Sequence, residues 1–140
     1  MSVGKICTRT VCFASPDEWI VDAARRMRDR DVGSLVVVDT QKLPIGMLTD
    51  RDIVVRCMAE GRDPETTPVA DVMSTIVSSV SEDTPIETAL ATMGSVGVRR
   101  MVVTDEEGRL AGLLALDDAL ELLVEEVESI GRLLRAQAPT

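Results

Sequence analysis

The chain repeats itself. Shifted by 66 positions, residues 11–54 lie on residues 77–120 without a gap, with thirteen identical pairs in 44 positions. The identities begin with Val11/Val77, Ser15/Ser81, Asp17/Asp83, Ile20/Ile86, Ala23/Ala89 and Met27/Met93. They continue through Val32/Val98, Val36/Val102, Val37/Val103, Asp39/Asp105, Gly46/Gly112, Leu48/Leu114 and Asp52/Asp118. Such a repeat constrains the fold strongly, because each copy must be one supersecondary unit that buries its apolar face against the other. Two copies are too few for a solenoid. The 140 residues are therefore read as a pair of small units.

Each copy has the same grammar. A short β-branched run, Thr10-Val11 or Ile76-Val77-Ser78, precedes a turn rich in helix-start residues, Ser15-Pro16-Asp17-Glu18 or Ser81-Glu82-Asp83-Thr84-Pro85. Apolar residues at helical spacing follow, at Ile20, Ala23, Ala24 and Met27 and at Ile86, Ala89, Leu90 and Met93. Strand-like runs, Leu35 to Val38 and Met101 to Val103, then end at Asp39 and Asp105, which open tight turns. A second strand enters through Gly46 or Gly112, and a final helix begins at residues 50–52 or 117–118.

The predicted unit is β-α-β-β-α, an α+β arrangement with a hairpin of adjacent strands. One such copy of about 60 residues is marginal alone. The expected fold therefore packs the two sheets face to face about a pseudo-twofold axis, with the helices outside. Residues 57–75, with Gly61, Pro64 and Pro68, read as the connection. Asp71-Val72-Met73 reads as a short turn opening the second copy. The expected divisions are 1–70 for the first unit with the start of its linker, 71–125 for the second, and 126–140 for a C-terminal helical extension and tail.

Composition excludes several kinds of chemistry. There is no histidine or tyrosine, and Phe13 and Trp19 are the only aromatics. A His-based triad, an imidazole acid–base catalyst and a His-containing zinc site are therefore ruled out. So is a stacking platform for single-stranded nucleic acid. The net charge of −9 opposes binding to a phosphate backbone. That charge is uneven: residues 1–70 hold 10 basic and 11 acidic side chains, and residues 71–140 hold 5 and 13. Between Arg62 and Arg109 the only basic residues are Arg99 and Arg100. Cys7, Cys12 and Cys57 form no CxxC motif and no disulfide framework. The start lacks the long apolar run of a signal peptide, and no stretch reads as a transmembrane helix. The expectation is a soluble cytoplasmic protein with no nucleic-acid or membrane partner.

The segment Gly46-Met47-Leu48-Thr49-Asp50-Arg51-Asp52 carries glycine, threonine and aspartate at a fixed spacing. Gly112-Leu113-Leu114-Ala115-Leu116-Asp117-Asp118 repeats it without the threonine. With the stretch from Asp31 to Asp39 and the segment Val69 to Met73, it resembles a tandem pair of cystathionine-β-synthase (CBS) domains over about residues 5–125. The resemblance implies a regulatory module, not a catalyst. It also implies an adenine nucleotide or related adenosyl ligand (AMP, ADP or ATP) in the cleft between the copies, and a homodimer of four domains.

Carried over by position, one site combines Thr49 and Asp52, facing the ribose, with Ile76, Val77 and Val98 around adenine. Arg99 and Arg100 match the family's basic pair near the phosphate. Strand alternation allows only one of the two arginines into the cleft unless the strand is bulged. The second site combines Asp118 with Thr10, Val11 and Val32. It lacks the threonine, at Ala115, and both arginines, at Gly33 and Ser34. The expectation is one competent site and one weak, empty or differently used site. The plain alternative for Thr49, Asp50 and Asp52 is helix capping. For the arginines it is surface pairing with Asp105, Glu106 or Glu107.

Leu116, Leu120, Leu123, Val127, Ile130 and Leu134 are spaced as an a/d seam under three heptads long. This tail either packs on its own module or joins two copies. Three functions are open: a sensor acting through its oligomer or an effector protein, a ligand-free dimeric scaffold, and a small Mg²⁺-dependent nucleotide enzyme built on Asp50, Asp52, Asp117 and Asp118.

Overall fold

The computed structural model describes residues 1–75 and 78–137. The first copy runs β1 (Phe13–Ala14), α1 (Ile20–Arg30), β2 (Ser34–Val38), β3 (Pro44–Thr49) and α2 (Asp50–Asp52). The helix α2 widens at once into a π-helical stretch, Ile53–Met58, where Ala59 N–H reaches Val54 O at 2.8 Å. The second copy runs β4 (Ser79–Ser81), α3 (Ile86–Val96), β5 (Arg100–Thr104), β6 (Leu110–Ala115) and α4 (Leu116–Ala136). Each copy forms a three-stranded sheet, β1-β2-β3 or β4-β5-β6, with the first pair parallel and the second antiparallel. The β-α-β-β-α reading and the α+β class are borne out.

Alternation along the central strands builds three apolar layers. Leu35 and Val37 face α1, with Ile20, Ala23 and Met27. Met101 and Val103 face α3, with Ile86, Ala89 and Met93. The opposite faces meet: Val36 and Val38 pack on Val102, with Val11, Met47 and Leu113 at the edge. The two sheets thus face each other with the helices outside.

Each helical core is completed by residues from the far side of the repeat boundary. Val3 and Cys7 are buried in the second copy's core, and Val69 and Val72 in the first copy's. Single 3₁₀ turns at Val3–Lys5 and Val69–Asp71 carry them. The hydrogen bonds of these crossing segments match pair for pair under the 66-residue shift. Val3 N–H donates to Thr84 O at 2.8 Å, as Val69 N–H does to Glu18 O at 2.8 Å. Thr8 and Leu113 exchange bonds of 2.9 and 3.0 Å, as Ser74 and Met47 do at 2.9 and 2.8 Å.

The crossing also explains the repeated glycine. A Cβ on Gly46 would stand 2.6 Å from Met73 Sδ and 2.9 Å from Ser74 O. On Gly112 it would stand 2.7 Å from Cys7 Sγ and 2.9 Å from Thr8 O. Crossing shifts the first strand as well. Thr10-Val11 was expected to be strand, but β1 starts at Phe13, because Thr8 is still bridged to the other sheet. In the second copy Ile76 and Val77 lie outside the described residues, and β4 is described over Ser79–Ser81. The helix follows its turn as expected: α1 begins at Ile20, just after Ser15–Glu18, where Glu18 accepts Ser15 N–H at 2.6 Å and pairs with Arg26.

Candidate functional site

Asp52 and Asp118 stand at the third position of their helices, where N–H groups lack intrahelical partners. Thr49 Oγ1 accepts Asp52 N–H at 3.0 Å, and Thr49 N–H donates to Asp52 Oδ2 at 3.0 Å, a reciprocal capping box. In the second copy only half survives: Ala115 N–H donates to Asp118 Oδ2 at 3.0 Å. Capping takes up one oxygen of each carboxylate. An ionised carboxylate offers about four lone-pair sites, so capping and ligand binding are compatible. The other oxygen of Asp52 lies 4.0 Å from Arg56 Nε.

The four residues expected at the second site line one cavity of about 150 Å³ between the copies: Asp118, Thr10, Val11 and Val32, with Ser34 and Ala115. Typical ligand pockets span roughly 300–1,000 Å³. As it stands, the cavity admits a base-sized group, and a whole nucleotide would have to widen it or protrude.

At the first site, Ile76 and Val77 lie outside the described residues. Strand register fixes most of the rest. Ser34 pairs with Thr49 across the first hairpin, and Arg100 with Ala115 across the second. Arg100 therefore occupies the position that Ser34 holds in the first copy. The only register shift in that hairpin falls at Val103/Thr104, so alternation holds at Arg100. Arg100 shares the face of Val102, toward the opposing sheet, and Arg99 precedes the strand. Val98 is half-buried and packs on the α3 core. The carbonyl of Arg99 accepts Leu116 N–H at 2.9 Å. Both arginines border a hollow of about 230 Å³ with Ala115, Leu116 and Asp117.

Among the described residues neither arginine has a carboxylate within 4.0 Å. The hairpin pairing with Asp105 is not formed: its Oδ1 accepts Glu107 and Arg109 N–H, each at 2.9 Å, and no arginine side chain of this strand reaches it. Sequence reasoning missed Arg56, although Asp52 to Arg56 is an i,i+4 pair. It also missed Thr8, whose bridge to Leu113 seats the segment carrying Thr10 and Val11.

The CBS domain family model matches residues 3–58 and again 69–125. The chain belongs to the CBS domain family. The CBS domain-containing protein YhcV of Bacillus subtilis is 40% identical over 117 residues, covering 84% of this chain and 81% of that one. Of three relatives 35% to 40% identical, the chain spans 62%, 73% and 81% of their length.

Solved CBS structures agree in fold. Hypoxic Response Protein I, solved with two coordinated zinc ions, superposes at TM-score 0.78 with 30% identity, covering 86% of this chain and 98% of that one. The CBS domain pair of protein MJ0100, in complex with 5′-methylthioadenosine and S-adenosyl-L-methionine, superposes at 0.77 with 21% identity, covering 90% and 98%. The present chain has no histidine, and among the described residues no cluster of three His, Cys, Asp or Glu side chains suits a metal. No helix among them is long and apolar enough to cross a membrane.

Proposed function

We propose that this chain is a non-catalytic cytoplasmic sensor that binds an adenine nucleotide, AMP, ADP or ATP, between its two CBS repeats. The observation that carries this reading is the convergence of Asp118, Thr10, Val11 and Val32 on one cavity between the copies. There the second carboxylate oxygen of Asp118 would accept ribose hydroxyls, with Val11 and Val32 flanking the base. The pseudo-twofold counterpart unites Thr49 and Asp52 for ribose, Ile76, Val77 and Val98 for adenine, and Arg100 for phosphate. Arg99 adds charge from outside the strand. The crossing segments support this pairing of halves, because each sheet edge is seated against the other copy's leader.

The first site is the competent one, because a charge-assisted arginine–phosphate contact is roughly twice as strong as a neutral one. The module acts as a homodimer and passes its signal to an effector protein. The 5′-methylthioadenosine and S-adenosyl-L-methionine held by the MJ0100 pair belong to that protein, and show what this fold is able to hold.

Thermal unfolding with AMP, ADP, ATP, S-adenosylmethionine and NAD, followed by calorimetry, tests the reading. A true ligand at a hundredfold excess over Kd stabilises by about 2.7 kcal/mol. Arg100→Ala should weaken nucleotides and leave adenosine unchanged. Asp52→Asn, whose amide oxygen still caps, should weaken both. No stabilisation by any of them would favour the ligand-free scaffold, and two equal independent sites would overturn the asymmetry. Mg²⁺-dependent ATP turnover lost in Asp52→Ala would point instead to an enzyme.

A further inference from the structure

We propose that α4 is the seam between two copies of this chain, and that the two helices run antiparallel, centred near Val127. This rests on the homodimer in the preceding reading and not on the nucleotide.

The helix begins on the body and then leaves it. Ala119 is buried, and Leu116 and Leu122 are half-buried; from residue 123 to residue 137 everything except Gly131 is exposed. Along the exposed part, Leu120, Leu123, Val127, Ile130 and Leu134 form one stripe, each 50% to 66% exposed. Val124 and Leu133 widen it, exposed to 56% each. A side chain of this kind carries on the order of 60–120 Å² of apolar surface, so each half-exposed one still offers on the order of 50 Å². Seven per helix on two helices then supply on the order of 700 Å², the larger part of the roughly 1,000 Å² that a specific interface needs. A lone soluble helix has no physical reason to keep such a stripe in water.

Charge selects both the occupant and the direction. Residues 117–128 carry Asp117, Asp118, Glu121, Glu125, Glu126 and Glu128 and no basic residue. Residues 129–137 carry Arg132 and Arg135 and no acidic residue. A parallel pair would set acid on acid and arginine on arginine. An antiparallel pair centred on Val127 sets position 134 opposite 120 and position 132 opposite 122. That brings Arg132 and Arg135 beside the acidic first turns of the second copy, and opposes the two helix dipoles favourably. An anionic membrane surface would repel the same acidic flank.

Sedimentation of the full chain tests the seam. The parent should dimerise as concentration rises. Val127→Glu combined with Ile130→Glu, two exposed positions, should keep the parent's circular dichroism and stay monomeric. A monomeric parent, or a double variant that dimerises as tightly as the parent, overturns the proposal.

Direction is read from cysteine cross-linking, with the parent as control because Cys7 and Cys57 are buried and Cys12 is half-buried. Leu120→Cys and Leu134→Cys should each fail to cross-link alone and should form a mixed disulfide dimer together under oxidant. Self-linking of each variant would mean a parallel pair and overturn the direction. Calorimetry on the monomeric double variant separates the two proposals: nucleotide binding should persist there, since the cleft lies within one chain.

Discussion

Replacing Gly112 by alanine should separate the crossing segment from the sheet it seals. The new methyl would sit 2.7 Å from Cys7 Sγ and 2.9 Å from Thr8 O. Apolar contacts are optimal at about 3.5–4.0 Å, so residues 7 and 8 must retreat by roughly 1 Å. The Cys7 sulfur can rotate aside. The Thr8 carbonyl cannot, because it accepts Leu113 N–H at 3.0 Å while Thr8 N–H donates to Leu113 O at 2.9 Å. Overpacking of this kind costs about 1–3 kcal/mol, and each weakened hydrogen bond adds about 0.5–1.5 kcal/mol. A total near 3 kcal/mol, with a urea slope of about 1–3 kcal/mol per molar, lowers the midpoint by roughly 1–3 M.

Urea unfolding followed by circular dichroism measures this directly, and thiol alkylation reports where the damage falls. Burial pushes the Cys7 thiol up despite Arg9 nearby, so in the parent it should react slowly. In Gly112→Ala it should react faster, while Cys57, buried in the other core, should not. Gly94→Ala is the control: on α3, with nothing within 4 Å of its Cβ position and an ordinary φ, it should stabilise by about 0.5–1 kcal/mol. Gly112→Ala matching the parent within about 0.5 kcal/mol, or an unchanged Cys7 rate, would refute the crossing as the reason for this glycine.

Two further outcomes follow from the same geometry. Ser34→Arg with Ala115→Thr should give the Asp118 site the groups that it lacks and tighten ADP or ATP there by about tenfold or more, since a hydrogen bond to a charged group is worth about 1.5–3 kcal/mol; a calorimetric stoichiometry that stays at one site would refute it. The Glu18 carboxyl is opposed by burial, but hydrogen bonds from Arg26 and from Ser15 N–H, together with the charge of Arg26, hold it below its ordinary 4.5. The pair's stability is therefore complete above that value and lost as pH falls through the folded one, so Glu18→Gln should flatten the acid limb of the urea midpoint against pH, and an equally steep limb would exclude the pair as its source.

Much of the fold could be read from the sequence because the repeat preserves what the sheet needs. Valines at matched positions face the opposing sheet, Asp39 and Asp105 close the same turn, and the two glycines recur where a strand is crossed. The crossing itself was hidden. Val3 and Val69 are identical under the 66-residue shift, yet they lie outside the continuous match, separated from it by unlike pairs such as Lys5/Asp71 and Arg9/Thr75. Their burial depends on partners in the other copy, Thr84 for Val3 and Glu18 for Val69, which no local period reveals. The π-helical turn at Ile53–Met58 left no pattern either. At the candidate site the recurring aspartates were visible. Which arginine faces the cleft depended on register, and Arg56 had no repeat partner to draw attention, since Leu122 stands in its place.

That last contrast bears on how a duplicated module becomes a sensor. The backbone around the two clefts is held by matching hydrogen bonds, so a difference in affinity has to come from side chains. Thr49, Arg56 and Arg100 on one side stand against Ala115, Leu122 and Ser34 on the other. The first cleft sets two arginines beside its aspartate and has a complete cap, and the second has its aspartate without either arginine and half a cap. A ligand in the second cavity would touch both copies, because Thr10, Val11 and Val32 come from one and Asp118 from the helix start of the other. Only a ligand whose contacts differ between two relative placements of the copies can shift them. In the proposed first cleft the phosphate end would be held by Arg100 on one copy and the ribose by Asp52 of the other, and it is the part that would make that difference. A module so built would respond to the number of phosphates through its first cleft and to the nucleoside alone through its second.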